Sequence, residues 1–314
     1  MSSHAQIPSI LRGLSIAVLV NFAAGGGRAR TYLPRIRRLF ESAQMAAEFV
    51  LTKSAEDLEA RALDAILDKY QVLVVMGGDG TFQVLANAAC EADVLLGVLP
   101  VGGGNDFSAA LGFPSDPVKA AEVLLQGQER RVDLVRARAA NGQERLYAGG
   151  GGVGLDAEAA RFANRGYRHL PGRSRYIAAA LRALASYEPV EVKLDFPGSD
   201  LSSIRSKALL AGVLNTPTYG AGVRLAPEAA IDDGSLDVVV IEDLSFMGVL
   251  ALLPRLMGSG ELRTSRVRRC QAQRVRLSTD RPCLFHGDGE ILGPTPVEIE
   301  VVPRGIRVLA AARC

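Results

Sequence analysis

The chain has 314 residues, of which 48% are hydrophobic and 22% charged, with a formal net charge of +2. That composition excludes a disordered chain and is long enough for two domains or one large α/β domain. A charge this close to balance gives no reason to expect a nucleic-acid partner.

Four cysteines (Cys90, Cys270, Cys283 and Cys314) form no CxxC pair, and with three histidines they make a zinc site a poor expectation. The N-terminus lacks the charged region, apolar core and cleavage site of a signal peptide. No apolar run reaches the roughly 18 residues that a membrane span needs. The expectation is a cytoplasmic protein with reduced thiols. Arginines cluster at Arg28 and Arg30, at Arg35, Arg37 and Arg38, and between Arg263 and Arg274. Such clusters suit a solvated face or an anionic membrane surface.

Residues 14–22 (LSIAVLVNF) read as a buried strand, broken by the AAGGG of residues 23–27. Residues 31–45 have helical spacing and residues 47–51 form a short strand. Residues 54–69 read as a helix with Ser54 as N-cap and Asp57 three positions on. Residues 71–76 are again a strand, 82–92 a helix and 93–100 a strand. Strands alternating with helices predict a parallel sheet covered on both faces.

The texture changes after Val132. Segments 190–196, 236–241, 274–278 and 297–302 alternate polar and apolar residues between Gly and Asp turns, which predicts a largely antiparallel domain. Helical patterns interrupt it at residues 175–187 and 246–257. The fold class expected is therefore α/β in two domains: a doubly wound N-terminal domain over residues 1–131, and a mainly antiparallel β-sandwich over 132–302. A last strand within 303–314 is free to return to the first domain.

In an open parallel sheet, ligands bind beyond the carboxyl ends of the strands. Three glycine-bearing turns fall there: 21–25 (NFAAG), 77–81 (GGDGT) and 102–106 (GGGND). Glycine lets successive N–H groups converge on an anion, and a following helix N-terminus adds partial positive charge. Asp79, inside a glycine cluster, would repel phosphate unless a cation bridged the two, so Mg²⁺ carried with a nucleotide is expected. There is no GxxxxGK[ST] and no GxGxxG with its acidic partner, which excludes a P-loop and the dinucleotide fingerprint.

GGDGT followed by PVGGGNDF at residues 100–107 resembles the diacylglycerol kinase catalytic domain of bacterial lipid kinases, relatives of sphingosine and ceramide kinases. GVGLD at 152–156, residues 215–222, PEAAIDDGSLD at 227–237 and GDGE at 287–290 extend the resemblance over nearly the whole chain. It implies ATP bound between the domains and transfer of the γ-phosphoryl group to a lipid hydroxyl such as that of diacylglycerol. Asn21, Thr52, Gly77, Gly78, Asp79, Gly80, Thr81, Gly102, Gly103, Asn105 and Asp106 would then contact the nucleotide. A Mg²⁺ ion would be held by the Asp233 carboxylate and the backbone oxygens of Ala230 and Ser235. Glu290 is the favoured proton acceptor, with Asp288 the alternative. A lipid substrate implies peripheral contact with the inner membrane surface, for which Arg165, Arg168, Arg173 and Arg175 and the apolar stretch 176–184 are candidates. Family members often pair, so a homodimer is also expected.

Two residues depart from the family pattern: Phe22 stands where proline is usual, and Gly103 stands where a nucleotide-contacting threonine is usual. That threonine's hydrogen bond would be worth about 0.5–1.5 kcal/mol. The resemblance leaves two other readings open, an NAD kinase with a soluble acceptor and a non-catalytic binding protein on the kinase scaffold. His286 reads as structural, and Asp-Gly at 288–289 is also a favoured hairpin pair.

Overall fold

The computed structural model describes residues 10–155, 182–183, 187–220, 222–244, 246–258 and 265–312. Most of the expected helix at 175–187, the four arginines named for membrane contact and Asp156 lie outside them. The chain divides into two compact units. One comprises Met1–Gly102, Leu111–Arg131 and Ile306–Cys314, the other Gly103–Ala110 and Val132–Gly305.

In chain order the first elements are β1 (Ile16–Asn21), α1 (Arg28–Ser42), β2 (Ala47–Thr52), α2 (Ala55–Leu67), β3 (Val72–Gly77), α3 (Asp79–Ala89), β4 (Leu95–Pro100), α4 (Asp106–Ala110), α5 (Pro117–Leu125) and β5 (Gln128–Ala139). There follow β6 (Glu144–Tyr147), β7 (Gly150–Gly154), β8 (Val190–Asp195), β9 (Ile204–Leu214), β10 (Leu236–Glu242), α6 (Phe246–Met257), β11 (Val267–Ala272), β12 (Arg274–Thr279), β13 (Leu284–Gly287), β14 (Glu290–Pro294) and β15 (Val297–Ala310).

The first unit is built on a parallel sheet, ordered β2-β1-β3-β4 and completed by the end of β15, where Arg307 and Val308 pair with Leu95 and Leu96. Every residue of β3 and β4 is buried, as a strand covered on both faces requires. The helices provide that cover in two pairs, α1 against α5 and α2 against α3. Ser54 caps α2 by accepting the Asp57 amide at 3.2 Å, as its spacing predicts. Asp116 caps α5, a helix that short apolar runs and a leading proline conceal in the sequence. Arg307 holds the returning strand with two bonds to Glu129, at 2.7 and 2.8 Å.

The second unit is antiparallel. Ala208–Leu214 of β9 runs between β10 and β7, and the earlier part of β9 pairs with β8, which in turn pairs with β12. β8 and β12 alternate buried and accessible residues, and their inward side chains meet those of other strands. Val192, Leu194, Val213, Val238, Leu277 and Phe285 form one buried cluster. Tyr147 lies within it, tilted against Phe285 at 6.2 Å, with its hydroxyl donating to the Val213 carbonyl at 3.0 Å. Burial pushes that phenol well above its usual pKa.

Two expectations change. The helix after GGDGT starts at Asp79, not Phe82, because Gly78 is extended and serves as N-cap, so Asp79, Gly80 and Thr81 form the first turn. The segment 297–302 and the last strand expected within 303–314 are not two strands but one, β15. Pro303-Arg304-Gly305 looks like a break in sequence. In the fold, Arg304 takes a left-handed φ of 52° and its amide donates to the Asp133 carboxylate, so the chain continues past it as strand.

Candidate active site

In the first unit the site residues are brought together by register alone. Asn21 pairs with Thr52, Val20 with Met76, and Gly77 with Pro100, so Asn21, Thr52, Gly77 and Pro100 all sit at the carboxyl edge of the sheet. The Asn21 amide donates to the Thr81 hydroxyl at 3.1 Å, and its carbonyl oxygen accepts the Ala23 amide at 3.0 Å. Thr81 also accepts the Gly78 amide at 3.4 Å, which fixes the first turn of α3. The GGDGT turn is thus locked to the β1 turn. Thr52 is buried and its hydroxyl donates to Val20, which leaves its oxygen lone pairs as the only contact it can offer a ligand. Gly77 also accepts the amides of Val101, at 2.9 Å, and Gly102, at 3.3 Å, tying the third glycine turn to the second.

The β1 turn needs its glycines. Gly25, Gly26 and Gly27 have φ of 59°, 69° and 93°. A Cβ on Gly25 would lie 1.9 Å from the Val101 carbonyl oxygen, whereas one on Gly26 would meet nothing within 4 Å. Gly25→Ala is expected to destabilise the unit by about 2–4 kcal/mol, from overpacking plus left-handed strain, and Gly26→Ala by about 1–2 kcal/mol from strain alone. Urea unfolding of the two variants checks this. Phe22 lies under the Arg30 guanidinium at 5.0 Å.

In the second unit, residues 103–110 carry the remaining nucleotide candidates. Gly103 leads into Asn105, which has a φ of 60° and whose carbonyl accepts the Ala109 amide in α4. Asp106 is buried and accepts the Gly222 amide at 2.9 Å. The loop that contains Gly222 is closed by reciprocal bonds between Tyr219 and Val223, and the Tyr219 hydroxyl bonds His286 Nε2 at 2.8 Å. His286 is a buried residue stacked on Tyr219, in keeping with a structural role.

The DDGSLD segment is organised by a residue that sequence reasoning missed. Asp133, fully buried on β5, accepts the Gly234 amide at 2.7 Å and the Arg304 amide at 2.6 Å, while its own amide donates to Ile231. The signal was a lone carboxylate in the apolar half of VDLV, masked by the alternation around it. Among the described residues, no three His, Cys, Asp or Glu side chains gather into a metal cage. The expected Mg²⁺ set uses only one carboxylate and two carbonyls. Asp233 is exposed, and one of its oxygens accepts the Ser235 amide at 2.9 Å, leaving the other for an ion. The donor set fits a hard cation. Nearby Asp237 has its pKa raised to about 6, chiefly by burial and further by the Asp233 and Glu228 charges, against Gln271 and Arg269.

The Asp-Gly-Glu segment is a two-residue hairpin. Gly287 pairs with Glu290 across it, and Asp288 and Gly289 have φ of 50° and 86°, the signs of a type I′ turn. Glu290 opens β14 with an exposed side chain, yet protein surrounds its carboxyl closely enough to raise its pKa, with His286 acting in the opposite direction. Asp288 turns inward and accepts the amides of Ala148 (2.8 Å), Gly149 (2.9 Å) and Gly150 (3.1 Å). Burial still raises its pKa to about 6, against the pull of those three donors and with a contribution from Asp106.

A doubly wound unit with glycine turns along one strand edge, followed by an antiparallel unit bearing a carboxylate hairpin, is the arrangement that the comparisons identify as a lipid kinase. Residues 15–137 match the diacylglycerol kinase catalytic domain, and residues 149–310 match the YegS C-terminal NAD kinase beta sandwich-like domain. A protein of Stenotrophomonas maltophilia named "Probable lipid kinase YegS-like" is 30% identical over 272 residues, covering 82% of this chain and 84% of its own. A diacylglycerol kinase of Mycobacterium tuberculosis is 29% identical, covering 81% and 82%. A crystal structure of a diacylglycerol kinase from Bacillus anthracis shares the fold with a TM-score of 0.72 at 22% identity, covering 94% of this chain and 96% of that one. The chain belongs to the diacylglycerol kinase family of bacterial lipid kinases.

Proposed function

We propose that this lipid kinase transfers the γ-phosphoryl group of ATP to the hydroxyl of a lipid such as diacylglycerol, with Mg²⁺ as cofactor and Glu290 as general base. The alignment of Asn21, Thr52 and Gly77 at one sheet edge, with three left-handed glycines beside them, carries the reading. Backbone amides of the glycine turns and the start of α3 hold phosphate oxygens. Asp79, in that first turn, accommodates a phosphate-bound cation. Glu290 accepts the proton of the lipid hydroxyl as its oxygen bonds to phosphorus and the bond to the departing ADP oxygen breaks. Asp233, Ala230 and Ser235 would hold a Mg²⁺ ion, which supplies positive charge that steadies the loop.

Purified protein, γ-labelled ATP and a panel of dispersed lipids, with and without Mg²⁺, test this directly. The expected result is a labelled organic-soluble product that requires both Mg²⁺ and a lipid bearing a free hydroxyl. Label transferred to NAD and to no lipid would overturn the reading.

A further inference from the structure

The two carboxylates of the Asp-Gly-Glu hairpin have different surroundings, and the difference divides their roles. Asp288 has two oxygens with about four lone-pair directions between them, and three are taken by backbone amides on a single run of chain, Ala148 to Gly150. The Asp288 amide returns a bond to the Gly150 carbonyl at 2.9 Å. Four hydrogen bonds therefore tie the tip of the hairpin to the start of β7. A carboxyl group so engaged has about one lone-pair direction left, on Oδ2, and its orientation is set by the amides it accepts.

The absence of a side chain at residue 149 makes room for this approach. A Cβ there would lie 2.8 Å from Asp288 Oδ1 and 3.6 Å from the Thr216 hydroxyl. Asn215 supports the same run from behind. Its amide group donates to the carbonyls of Ala148 (2.9 Å) and Asp133 (3.1 Å), and its backbone amide donates to Gly149 (2.7 Å). Glu290 stands two residues beyond Asp288, with an exposed side chain, at a position the hairpin tip dictates.

We propose that Asp288 is a positioning residue, a carboxylate clamp closed on the amides of residues 148–150, and that Gly149 gives it the room to close. The clamp sets where Glu290 stands. The proposal rests on Glu290 as base and extends that reading to two residues that do not themselves touch the alcohol.

The test compares Asp288→Asn, Gly149→Ala and Glu290→Gln in the full chain, by steady-state kinetics against pH and by amide hydrogen exchange. Asp288→Asn presents an NH₂ group to a row of N–H donors. It is expected to lower kcat about 10- to 100-fold, the usual effect of displacing a reacting group by an ångström or less. KM for ATP should stay within about twofold, and the rise of kcat with pH that belongs to Glu290 should persist. Gly149→Ala should reproduce this pattern with the carboxylate still present, which keeps the test alive if Asp288→Asn does not fold. Glu290→Gln should abolish the pH-dependent rise. In the unmodified chain the amides of 148–150 should be protected, and both clamp variants should release them by about tenfold or more while Glu290→Gln leaves them protected.

Three outcomes would overturn the clamp: unprotected amides in the unmodified chain, a Gly149→Ala enzyme with normal kcat and exchange, or an Asp288→Asn enzyme that alone loses the pH-dependent rise. If the unmodified chain phosphorylates no lipid, the proposed function fails. The exchange measurement then decides the clamp by itself.

Discussion

Glu290→Gln is expected to lower the rate of lipid phosphorylation by about 10²–10⁴-fold, the range that a positioned general base contributes, with nucleotide binding preserved. Glutamine keeps the size and one acceptor oxygen but cannot take a proton. The pH dependence gives the sharper check. Protein packed around the Glu290 carboxyl, although the side chain is exposed, desolvates it enough to raise its pKa above the ordinary value of 4.5. A base works only when deprotonated, so activity rises as pH climbs through that elevated pKa and falls below it. Measuring kcat against pH, from below the ordinary carboxylate range upward, should show this limb in the unmodified enzyme and none in the variant. A variant that keeps both rate and limb would assign the proton to another group.

The second large effect belongs to Asp133. Asp133→Ala strips the acceptor from the amides of Gly234 and Arg304, in a place with no exposure to water. A buried donor left unpaired costs about 1–3 kcal/mol, and since both amides are only partly buried a loss of about 1–3 kcal/mol in all is expected, still large against the stability of a domain. Because the Gly234 amide lies between Asp233 and Ser235, the DDGSLD turn should lose its shape along with the stability. Thermal unfolding with and without Mg²⁺ reads both: the variant should melt lower and show no stabilisation by the ion. An unchanged melting temperature would mean that water or a rearranged loop replaces the carboxylate.

Much of the first unit could be read in the chain because its signals are local. Unbroken apolar strands, the Ser54 cap and glycines at strand ends each depend on a few neighbouring residues, and the register that lines up Asn21, Thr52 and Gly77 follows from strand order. What stayed hidden depends on distant partners. Asp133 meets amides 101 and 171 positions away, Asp288 those 138 to 140 positions away, and neither separation leaves a periodic trace. Asp-Gly at 288–289 admitted a turn reading and a chemical one. The turn reading holds, since the tip is a type I′ turn, and its aspartate also does structural work that no turn requires. The helix after Gly78 began earlier than its apolar spacing suggested because an N-terminal turn of Asp, Gly and Thr carries no hydrophobic stripe.

The last stretch of β15 has an implication for how the chain is made. The strand beside β4 comes from residues 307–308, near the far end of the sequence, after everything that belongs to the second unit. A ribosome therefore releases the first unit's sheet one strand short, with the β4 edge open to pairing until residues 307–308 emerge behind the whole second unit. Truncations that remove only the final ten or so residues should thus harm the earliest-synthesised part of the molecule most, and expression of residues 1–131 alone should yield a sticky, incomplete sheet.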